Sequence, residues 1–242
     1  MRLPGSEKVI VGYDLGNKYA QISCYVTGSE EEIRTLSSVA GSSVYTIPLA
    51  LSKRQGVNQW FYGSEAIRYA GEEEGILVEN LLKLARDGEP VQIDGAPIDP
   101  VALLTLFLKR SLGLLSQVTN TERIGALMIT CEELDHRMLE VLTAATEGLH
   151  LKTDQICFQS HVESFYYYNL YQPEELWRHK TILCEYGDAS IRTYCMECNR
   201  HTTPVVAYME EREFPFPVPE SDEKMQEIAK KLCENQMISS VY

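Results

Sequence analysis

Two segments of this chain, 171 residues apart, are written on one plan. Residues 9–25 read VIVGYDLGNKYAQISCY and residues 180–196 read KTILCEYGDASIRTYCM. Each runs from an apolar strand pattern to an acid (Asp14, Glu185), one spacer, a glycine (Gly16, Gly187), a polar turn and an outgoing alternating strand. A spacing this long excludes a short solenoid repeat and predicts duplicated domains. Each tip pairs the backbone N–H groups of a glycine turn with one carboxylate, a combination that can hold a polyphosphate and its divalent cation. Taken singly, either tip is also what any β-hairpin prefers.

The segments around the two copies set the fold class. Residues 8–14, 19–26 and 32–38 read as three strands joined by the turn formers Gly16-Asn17 and Gly28-Ser29, which predicts an antiparallel meander. A strand-like pair follows at 43–51 and 59–66, the first weakened by Pro48. Residues 64–75 and 77–88 each read as a helix closed by glycine. Residues 99–117 read as a buried helix with Asp99 at the N-cap and Pro100 at the first helical position. Then come strand 123–130, helix 134–149, strand 154–160 and helix 162–171, an alternation that implies parallel strands. The cluster Tyr166-Tyr167-Tyr168 on the last helix reads as helix-packing surface. A second meander is expected at 181–187, 189–197 and 203–211, followed by a helix at 221–235. Strand, helix and strand together predict an α/β protein.

Composition bounds the partners. With 242 residues and 44% hydrophobic content the chain can bury a sizeable core, and a net charge of −13 argues against phosphate-backbone binding, so nucleic acid is not an expected partner. No apolar run reaches the roughly 18 residues of a membrane helix, and MRLPGSEK has no signal-peptide core. Seven cysteines at irregular spacings predict reduced thiols. A cytoplasmic protein without a membrane partner is expected.

Over nearly its whole length the chain resembles the actin, hexokinase and seventy-kilodalton heat-shock chaperone ATPases, as a bacterial branch of its own. VGYDLGNKYAQIS is similar to their first phosphate loop, residues 125–170 follow the chaperone-like order of strand, helix, strand and helix, and ILCEYGDAS is similar to their second phosphate loop. The resemblance implies a ribonuclease-H-like, actin-type fold with a mixed five-stranded sheet flanked by helices. The first lobe would span 1–178, with a small helical insertion at about 65–98, and a second duplicated lobe would begin at 179–242. It implies ATP and Mg²⁺ as cofactors, with Asp14 and Glu185 acting on the metal through water and Gln159 orienting an attacking water. Gly16, Asn17, Lys18, Gly187, Asp188, Ala189 and Ser190 would line the phosphates. Phosphoryl transfer is mostly positioning and charge neutralisation, so these residue types suit it.

The departures carry expectations as well. Asn17-Lys18 replaces the family's hydroxyl residues, and Glu185 is longer than the usual aspartate. Lys18 either adds charge at the phosphates or is an exposed turn lysine. No glycine follows position 187, so the adenosine-gripping loop of the family has no counterpart here. The chain therefore reads as the amino-terminal portion of such a protein, without turnover of its own, whose open sheet edge predicts dimerisation or strand exchange. The alternative is a non-catalytic interaction module on the same fold.

Other constellations weigh less. Cys195, Cys198 and His201 have ligand-like spacing but lie on a strand running into a turn. Cys131 near His136 reads as a buried thiol and an exposed histidine, and Lys83 as a helix-surface lysine.

Overall fold

The computed structural model describes residues 8–29, 32–72, 75–118, 123–186, 190–202, 205–215 and 238–242. The chain divides into two compact units, Met1–Ser160 and His161–Tyr242. This division falls earlier than the expected 178/179 boundary, so helix 161–170 belongs to the second unit.

The first unit opens with β1 (Val9–Leu15) and β2 (Tyr19–Val26), an antiparallel pair. In β1 every second residue is buried: Val9, Val11, Tyr13 and Leu15 face the core, and Ile10, Gly12 and Asp14 face outward. That alternation is what a sheet covered on one face imposes. The third strand of the meander is only β3 (Arg34–Thr35), shorter than the expected 32–38, and β4 (Ile47–Pro48) pairs with the other end of β2. Next come β5 (Leu51–Arg54), β6 (Trp60–Tyr62), α1 (Gly63–Glu72) and β7 (Gly75–Val78), the three strands forming a small antiparallel sheet.

The helix expected over 77–88 begins only at α2 (Leu81–Asp87), because Leu77 and Val78 are claimed by pairing with β5. The hairpin β8 (Val91–Ile93) and β9 (Ala96–Ile98) follows. The insertion near 65–98 is thus mixed in structure, not simply helical.

α3 (Pro100–Leu112) begins as expected: Asp99 accepts from the Val101 amide at 2.9 Å and Pro100 occupies the first turn. Its Leu104, Phe107 and Leu108 are fully buried, each contributing about 1.5–3 kcal/mol of apolar burial. β10 (Ile124–Cys131), α4 (His136–Glu147) and β11 (Ile156–Ser160) complete the unit. α4 is capped by Asp135, which accepts from the Met138 amide at 2.8 Å. α3 and α4 pack closely: Thr105 Oγ1 donates across to the Ala145 carbonyl at 3.0 Å, and a Cβ at Gly148 would lie 2.5 Å from Thr105 Cγ2. α3 is tied to the sheet by the buried bond between Tyr13 Oη and Ser111 Oγ at 2.7 Å.

The main sheet has the order β11-β10-β1-β2-β3, with β4 also on β2. β1, β10 and β11 run parallel, and the meander is antiparallel. The first unit is therefore a mixed α/β structure with a mixed sheet flanked by helices.

The second unit contains α5 (His161–Leu170), β12 (Lys180–Tyr186), β13 (Ser190–Asn199), β14 (Val206–Pro215) and β15 (Ile238–Val241). The sheet order is β14-β13-β12-β15: an antiparallel meander with β15 parallel to β12. On α5, Phe165 and Asn169 are buried, whereas Tyr167 and Tyr168 are about half exposed and Tyr168 rests edge-on against Tyr242. The expected helix at 221–235 lies outside the described residues.

The two hairpins pair in equivalent register. In the first hairpin Asp14 faces Gln21 and Leu15 faces Ala20; in the second Glu185 faces Arg192 and Tyr186 faces Ile191, every position displaced by 171. The parallel neighbours agree too. Val9–Ile124, Ile10–Ala126 and Val11–Leu127 correspond to Lys180–Ile238, Thr181–Ser240 and Ile182–Val241, the partner strand displaced by 114 and the register slip falling after the first pair in both.

Candidate functional site

In the first unit, register assembles a row that no local pattern reveals. Asp14 stands opposite Thr130 on β10, and Thr130 stands opposite Gln159 on β11. In-register residues of neighbouring strands share a face, so the three side chains line one face near the carboxyl ends of three parallel strands. Ligands of open α/β sheets bind outside that end. Two of the expected residues, Asp14 and Gln159, are thereby brought together, and Thr130 joins them unforeseen.

Asp14 is exposed, and its Oδ1 accepts from Thr130 Oγ1 at 3.3 Å. Gly16 closes the hairpin by donating its amide to the Tyr19 carbonyl at 2.9 Å, and a Cβ at Gly16 would lie 2.9 Å from that same oxygen. Only glycine fits this turn, but its amide is spent inside the hairpin and is not the phosphate donor expected of it. Asn17 is exposed and donates from Nδ2 to Glu132 Oε2 at 3.1 Å. Lys18 is exposed, with its carbonyl accepting from the Leu49 amide at 2.7 Å. A cavity of about 270 Å³ adjoins the turn, lined by Lys18, Tyr19, Leu49, Ile67, Glu79 and Asn80 among others.

The loop after β10 is braced from both sides. Glu132 receives Asn17 from the hairpin tip, while Arg86 of α2 binds Glu133 at 3.2 Å and Asp135 at 2.5 Å. Cys131, at the end of the same strand, is fully buried, and its thiol is pushed up to about 12, first by burial and then by the negative charge of Asp14 and Asp135. It is no nucleophile at neutral pH. His136 has a side chain 90% exposed beside Glu140, which excludes a Cys–His dyad.

In the second unit Glu185 occupies the position equivalent to Asp14 with different surroundings. Its side chain is 13% exposed, and Oε1 lies 2.8 Å from His161 Nδ1. Oε2 is buried and has no hydrogen-bond partner among the described residues. The Tyr194 phenol is pushed up to about 12, first by burial and then by the charges of Glu185 and Glu211. Ser190 Oγ donates to Glu213 Oε1 at 2.5 Å. Gly187, Asp188 and Ala189 lie outside the described residues.

Among the described residues no group of three or more His, Cys, Asp or Glu side chains converges to hold a metal directly. An exposed carboxylate beside a hydroxyl, as at Asp14, can accept hydrogen bonds from a cation's bound water, the usual habit of Mg²⁺. The zinc alternative fails on geometry, since Cys195 and Cys198 are three residues apart on β13 and project to opposite faces. Lys83 is exposed on α2. No helix among the described residues is long and apolar enough to cross a membrane.

Residues 32–242 match a family profile described as "Family of unknown function (DUF5716) C-terminal". The chain belongs to that family. The match takes in Thr130, Gln159, His161 and Glu185 but begins after the first hairpin, so Asp14 and the turn 16–18 lie outside it. No curated protein matches the chain.

Sequence reasoning passed over Thr130, Glu132 and His161. Thr130 ends an apolar strand and acquires meaning only through its register with Asp14. His161 follows Gln159-Ser160 directly, and its contact with Glu185 is 24 residues away along the chain.

Proposed function

We propose that this chain binds a magnesium nucleotide, ATP in the first instance, through acid-tipped hairpins of the actin-like ATPase type. The observation that carries the proposal is the duplication in register: two hairpins with an acid at the same step before the turn, each beside a parallel strand with the same slip. Convergence on a generic hairpin would reproduce an acid and a glycine, but not the pairing of a distant fourth strand. The meander followed by two parallel strands is consistent with a ribonuclease-H-like, actin-type sheet.

In the first unit, the Asn17 and Lys18 turn faces the phosphates and Asp14 holds a water of the cation, with Thr130 fixing the carboxylate. Gln159, in the same row, is the residue assigned to orient an attacking water. The cation supplies charge neutralisation on the phosphate oxygens. The second hairpin is assigned phosphate contacts of the same kind at Gly187, Asp188, Ala189 and Ser190, with Glu185 as its acid.

The test is calorimetry on the full chain with ATP in the presence and absence of Mg²⁺. Micromolar to millimolar affinity that depends on Mg²⁺ is expected, and no detectable affinity sinks the reading. Phosphate release then separates turnover from binding, with Gln159→Ala slowing any hydrolysis.

A second reading, a non-catalytic interaction module, is favoured by one contact. The Asn17–Glu132 bond keeps a carboxylate at the phosphate turn, which opposes tight polyphosphate binding. Under it, the chain forms a partner complex indifferent to nucleotide.

A further inference from the structure

The two tip acids share one register and differ in what holds them. Asp14 is exposed and takes a hydroxyl at 3.3 Å. Glu185 is largely buried, with Oε1 at 2.8 Å from an imidazole nitrogen. A carboxylate oxygen can only accept, so this pairing requires the proton on His161 Nδ1. The same glutamate has Oε2 buried and without a hydrogen-bond partner among the described residues, which is costly for a carboxylate oxygen unless a donor reaches it.

We propose that His161 is the positioning residue of the second hairpin: its Nδ1–H clamps Glu185 Oε1, so that Oε2 is the single oxygen presented to a donor, the water of a bound divalent cation. A glutamate is one methylene longer than the aspartate expected here, and its extra torsion would let the carboxylate wander. The imidazole removes that freedom, which is how second-layer hydrogen bonds orient acidic side chains around hydrated metals. His161 begins α5 immediately after β11, so the helix start sets the ring's position.

This inference rests on the nucleotide reading for the identity of the donor, but not for the pairing itself. Two measurements on the full chain separate them. In calorimetry with ATP and Mg²⁺, His161→Ala is expected to weaken binding about tenfold, the scale of one charge-assisted hydrogen bond. His161→Asn, whose amide N–H mimics Nδ1–H, restores affinity to within about threefold, whereas His161→Gln, which mimics Nε2–H, resembles the alanine variant. Wild-type affinity in His161→Ala, or equal rescue by Asn and Gln, overturns the proposal.

A long-range ¹⁵N spectrum of the nucleotide-free chain reports the tautomer independently. Protonated Nδ1 that loses its preference in Glu185→Ala is the expected result, and an Nε2–H tautomer in the wild-type chain overturns the pairing. If the wild-type chain shows no affinity for ATP with Mg²⁺, the nucleotide reading fails and the spectrum alone decides the pairing.

Discussion

The first and second hairpins have identical pairing and opposite handling of the acid. In the first, the carboxylate stands in solvent with a neutral hydroxyl beside it; in the second, it is withdrawn and clamped by an imidazole. Backbone register is therefore a weak constraint on electrostatics. The same hairpin presents a hydrated charge or a buried one according to which neighbouring element reaches its tip. For Asp14 that element is β10, a strand paired directly with its own. For Glu185 it is the first residue of α5.

This difference predicts unequal consequences. Asp14→Ala is expected to lower affinity for ATP with Mg²⁺ by about 100-fold, and Glu185→Ala by about tenfold, because the second acid begins partly satisfied by His161. Equal losses measured by calorimetry would break the contrast. Gly16→Ala is expected to cost about 1–3 kcal/mol in urea denaturation, since its Cβ meets the Tyr19 carbonyl at 2.9 Å and backbone must move. An unchanged midpoint would mean that the first turn is looser than its closing hydrogen bond implies.

Alkaline pH offers a comparison of the two units as wholes. Cys131 and Tyr13 in the first unit, and Tyr194 in the second, all have folded values raised chiefly by burial. The unfolded chain gives up these protons first, so the stability they represent is complete below about pH 9 and is lost as pH climbs toward 12. Urea midpoints should fall between pH 8 and pH 10.5, and Tyr13→Phe should lessen the fall. A flat profile would refute the burial of these groups. The smallest effect is expected from Thr130→Val, about a threefold loss of ATP affinity in the presence of Mg²⁺, since a hydroxyl–carboxylate hydrogen bond as long as 3.3 Å is weak and contributes about 1 kcal/mol or less. A loss as large as that of Asp14→Ala would place Thr130 on the ligand itself.

Much of the fold was legible because its signals are local. The alternation in β1 and β2, the Asp99-Pro100 start of α3 and the strand–helix alternation after residue 123 each depend on residues a few positions apart. The reading failed where distant pairing overrode local preference. Leu77-Val78 carries a helical pattern but is taken by β5, and residues 32–38 form only a two-residue strand because β2 gives its far end to β4. At the site, Asp14 and Gln159 could be named from the resemblance, but the Gly16 amide could not be known to be spent on Tyr19.

By itself, the sequence determined that one hairpin plan is used twice, 171 residues apart, with an acid and a glycine at each tip. Periodicity and turn chemistry suffice for that, since both act within a few residues. Only the tertiary structure decided what each acid touches. Thr130 reaches Asp14 across 116 residues and His161 reaches Glu185 across 24, through strand register and a helix start that no short stretch of chain encodes.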